Sequence, residues 1–161
     1  MANKYSVTGI LLIICVSFST SALADGLTFG AKTGPMRVDS SNVKDDPTNA
    51  GVTVGYEMGL VLGDLGFEGE FTTSMDDGTL KVPANSKFDV DTVGLFATYR
   101  SPGFLYLKAR YGFVSWESGN TEDTNTSMGL GFGVSLGLLQ VELEYTQIDE
   151  DIDFLSIGIV F

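Results

Sequence analysis

The chain carries 161 residues, with nine Lys and Arg against 21 Asp and Glu, no His and a single Cys, for a formal net charge of −12. Such a polyanion is a poor partner for nucleic acid. Without histidine, neither Ser-His or Cys-His nucleophiles nor His-ligated metals can be assembled, and the length suffices for one domain.

In chain order, residues 1–24 come first. Lys4, an apolar run from Ile10 to Val16, and Ala22-Leu23-Ala24 ahead of Asp25 form the three-part pattern of a cleaved secretory signal. The apolar run falls well short of the roughly 20 residues that a membrane helix needs. Bulky Ile14 argues against lipidation of Cys15. One domain over residues 25–161 is therefore expected. It loses its only cysteine with the signal and must be stabilised by something other than disulfides.

Beyond Asp25 no apolar run matches a membrane helix, and alternation with period two recurs instead, predicting an all-β chain. Strands are expected near 27–36, 51–62, 65–75, 89–100, 104–115, 126–137, 139–148 and 153–161. The sixth is the clearest, with Met128, Leu130, Phe132, Val134 and Leu136 set against Gly129, Gly131, Gly133, Ser135 and Gly137. The last sets Leu155, Ile157, Ile159 and Phe161 against Ser156 and Gly158. Connections alternate as well. Gly63-Asp64, Ser101-Pro102-Gly103 and Gly137-Leu138 are tight, whereas 37–50, 76–88 and 116–125 are long and polar. Pro102-Gly103 suits a type II turn, since proline presets one central residue and glycine accepts the positive φ of the next.

An even number of strands, with both termini on the short-turn side and long loops opposite, is the layout of an antiparallel transmembrane up-and-down barrel. Eight strands of about 9–11 residues fit the available length. A soluble barrel with its apolar side inward is the competing arrangement, but its wet face would carry more charge. Here the polar face is dominated by small residues such as Thr28, Gly30, Gly34, Thr53, Gly55, Gly94, Thr98 and Gly112, which suit a narrow lumen. Its charges are a mixed set: Lys32, Glu57, Glu68, Glu70, Lys108, Arg110, Glu142 and Glu144. A lone buried ion is very costly, whereas one held by opposite charges is tolerated, so these residues predict ion pairs across the lumen and a polar plug. On the apolar face, Phe29, Phe67, Tyr99 and Phe161 gather toward the short-turn end and Phe113 and Tyr145 toward the loops, resembling two interface girdles.

The A-L-A site, the Gly-rich alternating strands and the terminal I-G-I-V-F together resemble the small eight-stranded outer-membrane proteins of the OmpX, Ail, NspA and OmpA-barrel kind, over the whole of residues 25–161. In that family a final Phe with apolar residues at alternate positions is similar to the signal read by the barrel-assembly machinery. The resemblance carries this role to Leu155, Ile157, Ile159 and Phe161, with Ile159 standing where an aromatic is common. It also implies interior pairing of Glu68, Glu70, Glu142 and Glu144 with Lys108 and Arg110.

Chemistry beyond this is sparse. Glu142 and Glu144 share a strand face and could form an acid and base pair, but a structural ion-pair network perturbs carboxylates without catalysis. Acidic residues crowd the outer loops, among them Asp39, Asp45, Asp46, Asp76, Asp77, Glu117, Glu122, Asp123, Asp149, Glu150 and Asp151. Their spacing lacks a calcium-loop pattern, so solvated loops are preferred over a metal site, with cation bridging to lipopolysaccharide as the lesser reading. Trp116 reads as an interface anchor before it reads as a binding residue. No enzyme and no cofactor are expected. The expected role is structural or surface-interacting, through lipid, lipopolysaccharide, or a host or neighbouring cell surface, as a monomer with loops outside and termini in the periplasm. A narrow pore for small solutes is the alternative, and a lipid-modifying enzyme comes last.

Overall fold

Side chains that alternate in chemistry favour strands, because alternation lets the two faces of one ribbon meet different environments. The computed structural model describes residues 26–82, 86–119 and 121–161, so the expected export signal over 1–24 lies outside the described residues. The strands are β1 (Leu27–Val38), β2 (Val43–Asp45), β3 (Thr48–Leu60), β4 (Gly63–Asp76), β5 (Gly78–Leu80), β6 (Lys87–Phe88), β7 (Asp91–Arg100), β8 (Leu105–Ser118), β9 (Thr121–Ser135), β10 (Gln140–Asp149) and β11 (Ile152–Val160). The eight long strands close into a wholly antiparallel barrel in which each pairs with its neighbours along the chain and β11 returns to β1. At that seam Phe29 and Phe161 exchange backbone hydrogen bonds of 3.1 and 2.8 Å.

Three short connections, at 61–62, 101–104 and 136–139, share one end of the barrel with Gly26 and Phe161. Gly103, at φ +122°, provides the positive dihedral that the Pro102-Gly103 pair predicts, and the Ser101 N–H donates to the Leu107 carbonyl to close the hairpin. At the other end, β2, β5 and β6 form a separate three-stranded sheet from the first two loops. Asn42 ties these loops together, donating from Nδ2 to the Val82 carbonyl and accepting the Val82 N–H at Oδ1.

The expected loop at 116–125 is instead strand. β8 runs to Ser118 and β9 starts at Thr121, with Trp116 opposite Asp123 and Glu117 opposite Glu122. Polarity there marks where the ribbon leaves the apolar band; pairing itself needs only the backbone, and Thr121, Thr124 and Thr126 favour extended structure. The expected loop at 37–50 shrinks likewise, because β1 continues to Val38 and β3 begins at Thr48. Other strand ends move by three residues or fewer.

The outer face exposes large apolar side chains. Along β8 it presents Leu105, Leu107, Ala109, Tyr111 and Phe113 without a charge. A tilted stretch of that length spans roughly 20 Å of height, close to the apolar band of a membrane barrel. Phe29, Phe67, Tyr99, Phe161, Phe113 and Tyr145 all lie on this face, each at least 38% exposed. Charge returns only toward the loop end, where Arg37 stands opposite Asp153.

The interior has two layers. Toward the short-turn end it is charged. Toward the loops it is an apolar cluster of Met36, Val90, Phe96, Val114, Ile148, Ile152 and Phe154. The expected polar plug is thus only half of the filling. Met36, Ile148, Ile152 and Phe154 lie at the loop-side ends of their strands and turn inward, where no lipid reaches them and the closed ribbon can bury them against one another.

Candidate functional site

The charged layer is built from alternate residues of six strands. Lys32 comes from β1, Glu57 from β3, Glu68 and Glu70 from β4, Arg100 from β7, Lys108 and Arg110 from β8, and Glu142 and Glu144 from β10. All eight sequence-predicted charges face the lumen, and the structure adds Arg100, which is 3% exposed. Its signal was present: Arg100 lies two positions beyond lumen-facing Thr98, on the same face. Its place beside the Ser101-Pro102-Gly103 turn made it resemble a solvated strand end.

From the short-turn end inward, Arg100 pairs with Glu57 and, through Nε, with Glu142 at 2.8 Å. The Tyr106 hydroxyl lies 2.9 Å from both Gln140 Oε1 and Glu142 Oε1. Lys108 Nζ sits 3.0 Å from one oxygen each of Glu68, Glu142 and Glu144. One step further, Arg110 Nη1 gathers Glu68 at 2.9 Å, Glu70 at 2.7 Å and Glu144 at 2.9 Å. Lys32 completes the ring against Glu144 at 2.8 Å and against Glu70. Four cations thus serve five carboxylates, so the layer is nearly neutral. That balance is what allows so many ions out of water, since each would alone incur several kcal/mol of desolvation.

Glycines create the room. A Cβ on Gly129 would stand 2.9 Å from Arg110 Cγ, one on Gly131 would press Glu144 Cβ at 3.3 Å, and one on Gly133 would collide with the Tyr106 ring. The bare face of β9 is therefore the mould of the side chains it faces. The two interior layers meet through aromatic rings. Arg110 Cζ lies 3.5 Å from the Phe96 centroid and Lys32 Nζ 5.4 Å from that of Phe154, cation–π contacts of the kind that gain strength away from water. Between and above them, Asn49, Thr72, Thr92 and Ser74 bond one another, with Asn49 Nδ2 donating to the Val90 carbonyl at 2.6 Å.

Within the charged layer the cavity bordered by Lys32, Lys108, Glu142 and Glu144 is about 10 Å³. Even one water needs roughly 10–15 Å³. Glu142 and Glu144 have no approach for a substrate from this space. Leu155, Ile157, Ile159 and Phe161 share the outer face of β11 and its end, while Phe154, Ser156 and Val160 turn inward. Trp116 donates from Nε1 to Asp149 at 3.2 Å and packs on the apolar cluster, at the lip of the barrel and away from its outer wall. Among the described residues no group of acidic side chains is arranged to hold a metal ion.

Residues 8–159 match the sequence family described as outer membrane protein beta-barrel domain. No curated protein matches the chain by sequence. Among solved structures, Ail, the attachment invasion locus protein of Yersinia pestis, in complex with the heparin analogue sucrose octasulfate, is 15% identical with a TM-score of 0.54, covering 84% of this chain and 97% of its own. Neisserial surface protein A is 17% identical with a TM-score of 0.54, covering 87% and 98%. A de novo designed transmembrane barrel is 14% identical with a TM-score of 0.50, covering 88% and 98%. These likenesses are likenesses of fold.

Proposed function

Because this chain belongs to the outer membrane protein beta-barrel domain family of the Gram-negative outer membrane, we propose that it acts there as a structural or surface-interaction protein, neither conduit nor enzyme. The observation that carries this reading is the filled lumen, with a paired ionic layer around a cavity of about 10 Å³ beneath an apolar plug. Eight strands leave an interior only about wide enough for side chains, and here the side chains fill it. A pore would need the ion pairs to part, and an enzyme would need a route to carboxylates that the plug and the pairing close off.

In this reading residues 1–24 are the export signal, and the short-turn end with both barrel termini faces the periplasm. The loop end, with its β2-β5-β6 sheet and the raised β8–β9 ribbon, faces outward as the contact surface for lipopolysaccharide or another cell. Leu155, Ile157, Ile159 and Phe161, sharing one face at the end of β11, are the assembly signal, and the barrel works as a monomer. The Ail structure holds a polysulfated ligand. Exposed carboxylates such as Asp45, Asp77, Glu117, Glu122 and Glu150 make this chain's loop end a poor counterpart for a polyanion.

Planar-bilayer recording tests the reading. The purified barrel is expected to give no steady openings. Steady openings whose size changes in Glu142→Gln would overturn it in favour of a narrow channel. Protease added to intact cells should cut within 39–47 or 77–90, and protection of both segments would reverse the orientation.

A further inference from the structure

Above the apolar plug, at the loop mouth, lies an open cleft of about 240 Å³ walled by Val38, Phe88, Val90, Trp116 and Ile152, with Ser118 and Thr121 completing its lining. Its walls are apolar, yet carboxylates ring it. Asp39, Asp89, Glu117, Glu122 and Asp151 are exposed and each adjoins a wall or rim residue in sequence, so alternation sends the apolar group in and the acid out. Trp116 joins the two by donating to the Asp149 carboxylate at 3.2 Å.

The register sharpens this. Asp91 stands opposite Glu117 on β7 and β8, and Glu117 opposite Glu122 on β8 and β9, so three carboxylates line up across adjacent strands. Like charges directly opposite one another are destabilising. Of the described cations near this end, Lys87 lies 3.2 Å from Asp77, Lys81 donates to the Ser41 carbonyl and Lys44 lies 3.9 Å from Asp45, while Arg37, beside the wall residue Val38, stands opposite Asp153 on the neighbouring strand, so four cations are set against a larger number of carboxylates.

We propose that this cleft docks a basic peptide segment, seating one large apolar side chain against Trp116 and Phe88 while flanking lysine or arginine side chains lie along the acid rim. Pockets for drug-sized ligands measure roughly 300–1,000 Å³, so a cleft of about 240 Å³ matches a single bulky side chain better than a whole small molecule. Incoming cations would relieve the Asp91–Glu117–Glu122 repulsion, which gives the acid row a positive role in binding. The proposal rests on the loop end being the partner-facing end, but binding itself is measurable whatever the orientation.

The test uses the refolded barrel in nanodiscs of neutral lipid and a synthetic pentapeptide with phenylalanine between two lysine pairs. Calorimetry measures affinity, and the emission of Trp116, the chain's only tryptophan, reports location. Saturable binding with a shifted Trp116 spectrum, weakened by salt, is expected. Glu117→Gln with Glu122→Gln should weaken it roughly tenfold, and Ser118→Phe, which fills the cleft from its lip, by a similar factor. Both variants should keep the barrel's heat-modifiable gel migration. Absence of heat and spectral change with the parent barrel overturns the proposal. So does equal binding of the peptide with alanine in place of phenylalanine, or of a neutral phenylalanine peptide, which would assign the cleft to lipid chains. If Ser118→Phe migrates as a folded barrel and binds unchanged, the cleft is not the seat. Protease accessibility on cells separates any of these failures from a failure of the orientation.

Discussion

Replacing Arg110 with methionine removes the group on which three carboxylates converge while keeping a long side chain beside Phe96. The side chain is fully buried and its Nη1 holds Glu68, Glu70 and Glu144 within 2.9 Å. Three cations would then face five carboxylates in a largely buried layer. Breaking a buried pair by removing one partner typically costs about 3–5 kcal/mol, because the remaining charge is left uncompensated. With an m-value of about 2 kcal/mol per molar urea, the midpoint of unfolding from lipid vesicles should fall by about 1.5–2.5 M. The folded fraction is read from gel migration of unheated samples. Two companions separate charge from packing. Arg110→Lys should recover most of the loss, since a single nitrogen carries all three contacts. Arg110→Met with Glu70→Gln should be less destabilised than the sum of the two single changes by at least about 1 kcal/mol. Additive effects, or a midpoint within about 0.5 M of the parent, would show that the layer is hydrated and screened, and the account of a dry, charge-balanced lumen would be wrong.

Glycine substitutions test the inward packing by contrast. In Gly112→Ala the new Cβ meets the Leu95 carbonyl and lies 2.7 Å from Phe96 Cα, so strands β7 and β8 must part, an overpacking cost of about 1–3 kcal/mol in the same urea assay. Gly69→Ala finds nothing nearer than 3.8 Å and should fall within about 0.5 kcal/mol of the parent. Phe161→Ser leaves the backbone bonds to Phe29 in place. It should cut the amount of assembled barrel in cells while the refolded protein loses no more than about 1 kcal/mol. Loss of stability without loss of assembly would assign Phe161 to the seam instead of to recognition.

The barrel was legible because period two is a property of side chains one after another, and β8, β9 and β11 keep it almost without interruption. The ion pairs were legible for the same reason: once one face is lipid, a charge on the other has nowhere to go but the lumen. Arg100 escaped because its strand stops there, and charges at strand ends ordinarily face water. The apolar plug escaped because Met36, Ile148 and Ile152 sit where alternation runs out into loops, and nothing local tells a residue in the lumen from one in a loop. The raised β8–β9 ribbon was hidden by its own composition. Thr121–Thr126 is polar on both faces, which is what a ribbon standing in water requires and also what a loop looks like.

Site-directed spin labelling along residues 105–114 tests the central claim most directly, since the chain's only cysteine, Cys15, lies in the expected leader and each new cysteine would be unique. With the barrel in lipid, labels at 105, 107, 109, 111 and 113 should relax fast with oxygen and slowly with a water-soluble nickel complex. Labels at the inward positions 106 and 114, which leave Lys108, Arg110 and Gly112 intact, should respond weakly to both. Odd positions that relax with the nickel complex and not with oxygen would place water where lipid is required, and the barrel would have to be turned inside out.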